Sequence, residues 1–402
     1  MRQALVVIAA GVVAALHVGK LAPALATLQQ ALGISLLQAG FLLSLVQGAG
    51  LSLGLALGAL ADGLGGRRSL LLGLTTLALA SALGGAATSA GALMALRVAE
   101  GFGFLLVVLP APGLLRTLVP PARLSAVLGL WGAYMPLATA LALLSGPLFI
   151  DWLGWRAWWW VLAALSAAMA WCVAREVPVA PVAPMTPGKP AQGRLAAVRQ
   201  TLAVPGPWLV AAIFASYSGQ WLAVIGFLPT IYTQAGVPSA TMGLLTALAA
   251  AANIVGNVAS GRLLQRGVAP LTLLLFGFAC MAGAAVLAFA PGAAPPALRY
   301  GAVLVFSGVG GLIPGTLFSL ALRVAPGEGS VATTVGWMQQ WSAMGQFLGP
   351  PAVAWVALRA GGWQWTWVVT GACSVAGLLL TAGLSRLPAP ILAHHGQALR
   401  SR

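Results

Sequence analysis

Acidic side chains are almost missing from this chain: Asp and Glu together number five in 402 residues, and all charged types make up 6%. A water-soluble domain carries roughly 25% charged residues, so a soluble globular fold is excluded. Cysteine is scarce as well. Cys172, Cys280 and Cys373 lie far apart, which leaves no thiolate metal spacing and no disulfide framework; they read as small apolar filler. Metal-ligand clusters, nucleophile–base arrangements and phosphate-binding loops are also absent from the sequence. Neither an enzyme nor a bound cofactor is therefore expected.

What the chain does have is apolar length. Hydrophobic residues make up 60% and the mean hydropathy is +0.96. Breakers and charge clusters divide it into twelve runs, near 4–26, 38–61, 69–88, 90–115, 125–149, 156–174, 206–230, 239–261, 270–290, 298–322, 330–357 and 364–385. Each approaches the roughly 20 residues that a helix needs to cross a bilayer. Lipid offers no partner to open backbone groups, so the runs are read as helices. They do not alternate, which argues against a barrel. The expected fold class is an all-α polytopic membrane protein with two six-helix bundles.

The net charge of +15 could suggest nucleic acid, but its distribution suggests topology. With the N-terminus in the cytoplasm, fifteen of the twenty Lys and Arg residues fall inside, among them Arg2, Arg67, Arg68, Arg175 and Arg262. Arg156, Arg299 and Arg359 fall outside, and Lys20 and Arg97 lie within the membrane. That bias follows the positive-inside rule. It implies a bacterial-type inner membrane, both termini cytoplasmic, lipid as the surrounding partner and no nucleic-acid partner. Residues 1–27 resemble a signal peptide only superficially, because the apolar run is long and a second span follows soon after.

The longest polar interruption is "REVPVAPVAPMTPGKPAQGRLAAVRQ", residues 175–200, kept extended by its prolines. It separates a bundle at 1–174 from one at 205–402, with 175–204 as the linker. The two sets match each other. "SAVLGLWGAYMP" at 125–136 parallels "SVATTVGWMQQW" at 330–341, and "GALADGLGGRR" at 58–68 parallels "GNVASGRLLQR" at 256–266. Gly146-Pro147 parallels Gly349-Pro350, and "GWRAWWW" from Gly154 parallels "GWQWTW" from Gly362. Two such repeats point to a transporter with its site between the halves near mid-membrane. The tryptophans around Trp152–Trp160 and Trp363–Trp367 suit an interfacial belt.

"GALADGLGGRR" (58–68) resembles the signature loop of the major facilitator superfamily, and "RVAEGFG" (97–103) resembles its Arg-x-x-x-Gly-x-Gly motif. The resemblance covers essentially the whole chain. "HVGKLAPAL", "YSGQWLAVIGFLPTIY" and "MQQWSAMGQFLGPP" look like the cyanate-permease branch, which includes nitroimidazole exporters. The resemblance implies a monomeric secondary carrier that rocks two halves around a central site. It also implies a cytoplasmic gate at Asp62, Arg67 and Arg68. The loop departs from the family pattern at Gly63 and Gly66, where basic residues are usual.

Four ionisable side chains lie inside the spans: His17, Lys20, Arg97 and Glu100. Each pair is three residues apart and so shares a helix face. An ammonium at membrane depth costs at least ~2.5–3.5 kcal/mol, and three readings compete to explain it. Lys20 could snorkel to the headgroups beside a structural Arg97–Glu100 pair. Lys20 and His17 could instead face the central cavity with Arg97 and attract a small anion, with Glu100 or His17 carrying a coupled proton. Or Glu100 could bind a cationic drug, for which two fixed cations make a poor trap.

Neutral candidates for ligand contact are Trp131, Tyr134, Tyr217, Gln220, Trp221, Trp337, Gln340 and Trp341. Amphipathic and polar groups of this kind orient small planar ligands. Asn253 and Asn257 read as packing glue between helices. The expected activity is transport of a small anionic solute with protons. The alternative is export of neutral or weakly basic aromatic compounds, suggested by the 15 tryptophans.

Overall fold

The computed structural model describes residues 1–120, 127, 130–178, 198–292, 294–327 and 330–386, without the side chains at 49, 52–64 and 331–332. Most of the expected linker therefore lies outside the described residues. The first half runs α1 (Arg2–Gly19), α2 (Leu25–Leu32), α3 (Leu36–Leu64), α4 (Gly66–Gly85), α5 (Ala90–Val108), α6 (Ala111–Leu118) and α7 (Tyr134–Glu176). The second runs α8 (Pro205–Gln234), α9 (Ser239–Gln265), α10 (Pro270–Phe289), α11 (Pro296–Gly310), α12 (Leu312–Val324), α13 (Val331–Ala360) and α14 (Thr366–Ser385). Among the described residues nine helical segments are long and apolar enough to cross a membrane. One of them, α7, is 43 residues long, about 65 Å at 1.5 Å per residue. That is twice the ~30 Å hydrocarbon thickness. Its two arms, with α3 and α13, complete twelve crossings.

The sequence reading placed two spans at 125–149 and 156–174, and the structure joins them without a loop. Gly154 makes this happen. Its φ of +79° and ψ of 162° lie where only glycine is comfortable, so the chain reverses between helical arms in one residue. Other expected single spans are broken. The first run ends as α-helix at Gly19, passes through a 3-10 turn at Ala22–Ala24 and resumes as α2. Pro23 has no N–H to give the Gly19 carbonyl. The fourth and tenth runs divide near Pro110 and Gly311.

Two seams join the halves, α3 along α13 and the first arm of α7 along α9. Close backbone approach closes both at the end remote from the N-terminus. A Cβ on Gly40 would sit 3.0 Å from the Pro351 Cα, and one on Gly243 would sit 3.1 Å from the Leu143 carbonyl oxygen. Along the first seam Gln47 Nε2 donates to Gln346 Oε1 at 2.9 Å, and Gln340 Nε2 donates to the Leu51 carbonyl at 2.8 Å.

A buried charge cluster and the candidate transport site

The break after α1 shapes the most unusual feature of the molecule. Lys20 caps the C-terminus of α1, and its freed carbonyl accepts a bond from Trp158 Nε1 at 3.1 Å. The side chain turns inward between α1, α4, α5 and the second arm of α7. Its ammonium donates to Glu100 Oε1, to Ser81 Oγ at 2.9 Å and to His17 Nδ1 at 3.2 Å. It also lies 4.8 Å from the centroid of the Trp159 ring, a cation–π distance. Ser81 donates in turn to the Trp159 carbonyl at 2.8 Å.

Glu100 is shared. Arg97 Nη1 donates to Glu100 Oε2 at 2.5 Å and to the His17 carbonyl at 2.6 Å, while Nε donates to the Leu42 carbonyl of α3 at 3.3 Å. Since His17 Nδ1 accepts from the ammonium, its proton belongs on Nε2, which donates to Ser166 Oγ at 2.7 Å. The imidazole is thus assigned neutral. Two cations then face one carboxylate, and the cluster carries one unit of positive charge. His17, Lys20 and Arg97 are 0% exposed and Glu100 is 1% exposed. One donor is left over: Arg97 Nη2 is buried without a partner, an arrangement costly enough to suggest a role.

These contacts decide where Lys20 points. Every partner of the amine belongs to the first half, and the residue is fully buried within the protein. The expected orientation of Lys20 towards water between the halves is corrected here: the amine is sealed inside its own bundle. Sequence spacing put His17 and Lys20 on one face, and Arg97 and Glu100 on one face. It did not show that the two faces meet. Ser81, Ser166 and Trp159 were missed; Ser166 is the lone hydroxyl of the second arm of α7, but Ser81 shares α4 with Ser69, Thr75 and Thr76 and does not stand out.

The neutral candidates separate into three groups. Trp131 and Tyr134 stack at 4.6 Å between ring centroids, with Trp131 filling the space that Gly11 of α1 leaves open. Tyr217, Gln220 and Trp221 sit inside the second half and are hydrogen-bonded there. Asn253 Nδ2 donates to the Tyr217 hydroxyl at 2.8 Å and to the Ser307 carbonyl at 2.8 Å. Trp221 Nε1 donates to Ser307 Oγ at 3.0 Å, and Ser374 Oγ donates to Gln220 Oε1 at 3.1 Å. Asn253 thus bridges helices, while Asn257 donates back to its Oδ1 at 2.9 Å.

The third group lies on α13. Trp337 and Trp341 enclose Trp208, with centroid separations of 4.9 and 5.8 Å. Thr334 Oγ1, Trp337 Nε1 and Gln340 Oε1 are buried without partners, and their spacing of three puts them on one helix face. Of the gate residues, Arg67 Nη2 donates to the Ala174 carbonyl at 2.6 Å. Arg68 is exposed, and the side chain of Asp62 lies outside the described residues. Among the described residues no group of three or more His, Cys, Asp or Glu could hold a metal.

The family model of the Major Facilitator Superfamily matches residues 7–348. The chain belongs to that superfamily. It is a multi-pass membrane protein of a family of secondary transporters, not enzymes. It is 30% identical over 312 residues to mouse monocarboxylate transporter 11, covering 73% of this chain and 66% of that protein. The chain therefore spans just under two thirds of that relative's length. It is 33% identical over 117 residues to the tetracenomycin C resistance and export protein of Streptomyces glaucescens, covering 28% of this chain and 22% of that one. A bacterial homolog of the human lysosomal transporter Spinster, inward-facing and unoccupied, superposes with a TM-score of 0.78 at 17% identity, covering 97% of each chain. That likeness establishes the shared fold.

Proposed function

We propose that this superfamily member carries a small organic or inorganic anion together with protons, with monocarboxylates and cyanate as the classes to test first. The observation that carries the reading is the sealed cluster: two cations share one carboxylate, and a guanidinium nitrogen is left without a partner. A proton delivered to Glu100 through His17 removes the negative charge that both cations share. Lys20 and Arg97 then need another anion, and a small carboxylate or cyanate supplies it. Release of the proton restores the pairs and expels the anion. Proton and anion thus move together, and the charge in the bundle stays constant through the cycle.

In this reading the present conformation is the one in which Glu100 occupies the anion's place, and rocking of the halves opens the cluster. Trp131 and Tyr134 form the aromatic wall on the first half, with Trp337, Gln340 and Trp341 opposite. Tyr217, Gln220 and Trp221 hold that second wall in shape. The loop bearing Asp62, Arg67 and Arg68 latches the cytoplasmic side, both termini are cytoplasmic, and the carrier works as a monomer in the inner membrane. The likeness to mouse monocarboxylate transporter 11 supports an organic anion. The motifs at 17–25, 217–232 and 338–351 support placement beside the cyanate-permease branch. The domain limits 1–174, 175–204 and 205–402 go with the same reading.

A second reading draws on α13. Three unpartnered polar atoms beside three tryptophans suit a flat, neutral aromatic compound, and the partial likeness to the tetracenomycin C exporter points the same way. Thermal-shift measurements on purified protein separate the two. Anion transport predicts stabilisation by formate, lactate or cyanate that disappears in Lys20→Gln. Stabilisation by neutral aromatics alone, unchanged in Lys20→Gln, would replace the first reading with the second.

A further inference from the structure

At the end of the molecule that carries the N-terminus, a groove of about 550 Å³ runs between the first turns of α1 and the last turns of α7. Its size falls within the roughly 300–1,000 Å³ of sites that hold a small organic ligand. The floor is apolar, made by Leu5, Val6, Ala9, Met169 and Cys172. Leu5 and Trp171 are 49% and 57% exposed, so the groove opens on the outside of the bundle, where a membrane protein meets lipid.

The rim is basic. The Arg175 guanidinium lies 4.3 Å from the Trp171 ring centroid, which holds it along the edge, and it makes no hydrogen bond to any described residue. Across the mouth Arg2 Nη2 donates to Glu176 Oε1 at 2.7 Å and ties α1 to α7. The rim of the groove therefore sets two guanidinium groups, Arg2 and Arg175, against the single carboxylate of Glu176. A second groove, about 530 Å³, lies at the opposite end of the second half and is lined by Tyr232, Phe289, Arg299, Tyr300 and Trp363, among others. Its single cation is already engaged: Arg299 donates to the carbonyls of Ala290, Gly292 and Ala294 at 3.2, 2.8 and 3.3 Å. The two grooves are alike in volume and differ in free positive charge.

We infer that the groove between α1 and α7 binds one anionic phospholipid, with an acyl chain on the apolar floor and the phosphate at Arg175 and Arg2. A free guanidinium pairs with phosphate oxygens through two parallel bonds, and basic pockets between transmembrane helices select anionic headgroups. The same end of α7 receives the Arg67 bond at Ala174.

The test uses the full chain, purified in neutral detergent and titrated with phosphatidylglycerol or with phosphatidylcholine of identical acyl chains. Native mass spectrometry should show one tightly held phosphatidylglycerol, bound at least tenfold more tightly than phosphatidylcholine. That preference should vanish in the double variant Arg2→Gln/Arg175→Gln, and Ala9→Trp should remove the lipid by filling the floor. A measurement without substitutions checks the place. Phosphatidylglycerol should slow alkylation of Cys172, read by peptide mass, while leaving Cys280 unaffected. Equal binding of both lipids by the wild type, an unchanged preference in the double variant, or Cys172 labelling indifferent to phosphatidylglycerol would overturn the inference. So would displacement by millimolar inorganic phosphate, which would mark a bare anion site.

Discussion

The two halves share a plan, yet one has charge at its centre and the other does not. In the first, His17 and Lys20 meet Arg97 and Glu100 inside the bundle. In the second, Tyr217 and Gln220 repeat the same three-residue spacing 200 positions later. There they meet Asn253 and Ser374, which are neutral. The neutral network can be satisfied completely and serves as a fixed wall. The charged one keeps an excess cation and an unpartnered guanidinium nitrogen, so its stability depends on what protonates or binds it. In the proposed mechanism the first half performs the chemistry and the second serves for shape.

Substitutions that exploit the difference rank in order of size. Glu100→Gln leaves two buried cations without their counter-charge, and removing one partner of a buried pair costs roughly 3–5 kcal/mol. Thermal unfolding in detergent should show it as the largest destabilisation in the set. Adding Lys20→Met to that variant should recover part of the loss. Pairs in direct contact depart from additivity by about 0.5–3 kcal/mol. Additive losses would deny that the two groups pair.

Gly154→Ala comes next. No atom lies within 4 Å of where its Cβ would go, so the cost is the backbone strain alone, roughly 1–3 kcal/mol. The matching turn of the second half begins at Gly362, also at positive φ (149°), and Gly362→Ala should be unfavourable too. The neutral network ranks lower. Asn253→Leu removes bonds to Tyr217 and Ser307, each worth about 0.6–2 kcal/mol within a membrane, and should leave any proton coupling intact. Arg68→Ala, at an exposed position, should change unfolding by no more than ~0.5 kcal/mol. A large effect there would give the loop a structural weight that its exposure denies.

The spans were legible in the sequence because hydropathy over some twenty residues is a one-dimensional signal. Their breaks were less so. Pro23 announces the end of α1, but the continuous passage through Gly154 depends on a single positive φ that composition does not reveal. The internal charges were legible as a set, since each stands alone among apolar neighbours. Their pairing was not. Spacing fixes which face a residue occupies, whereas Lys20 reaches Ser81 and Glu100 across 61 and 80 positions of chain. That long-range packing, not local pattern, turned the amine away from the space between the halves. Gln47 and Gln346 escaped notice for the same reason, because their significance lies in meeting each other.

Proteoliposomes loaded at high pH and diluted into low-pH medium containing a radiolabelled small carboxylate put the shared carboxylate to its sharpest trial. Wild-type protein should accumulate the label above its external concentration, and Glu100→Gln should exchange it without accumulation. If Glu100→Gln accumulates label as the wild type does, Glu100 does not carry the coupled proton and the role assigned to the buried cluster is wrong.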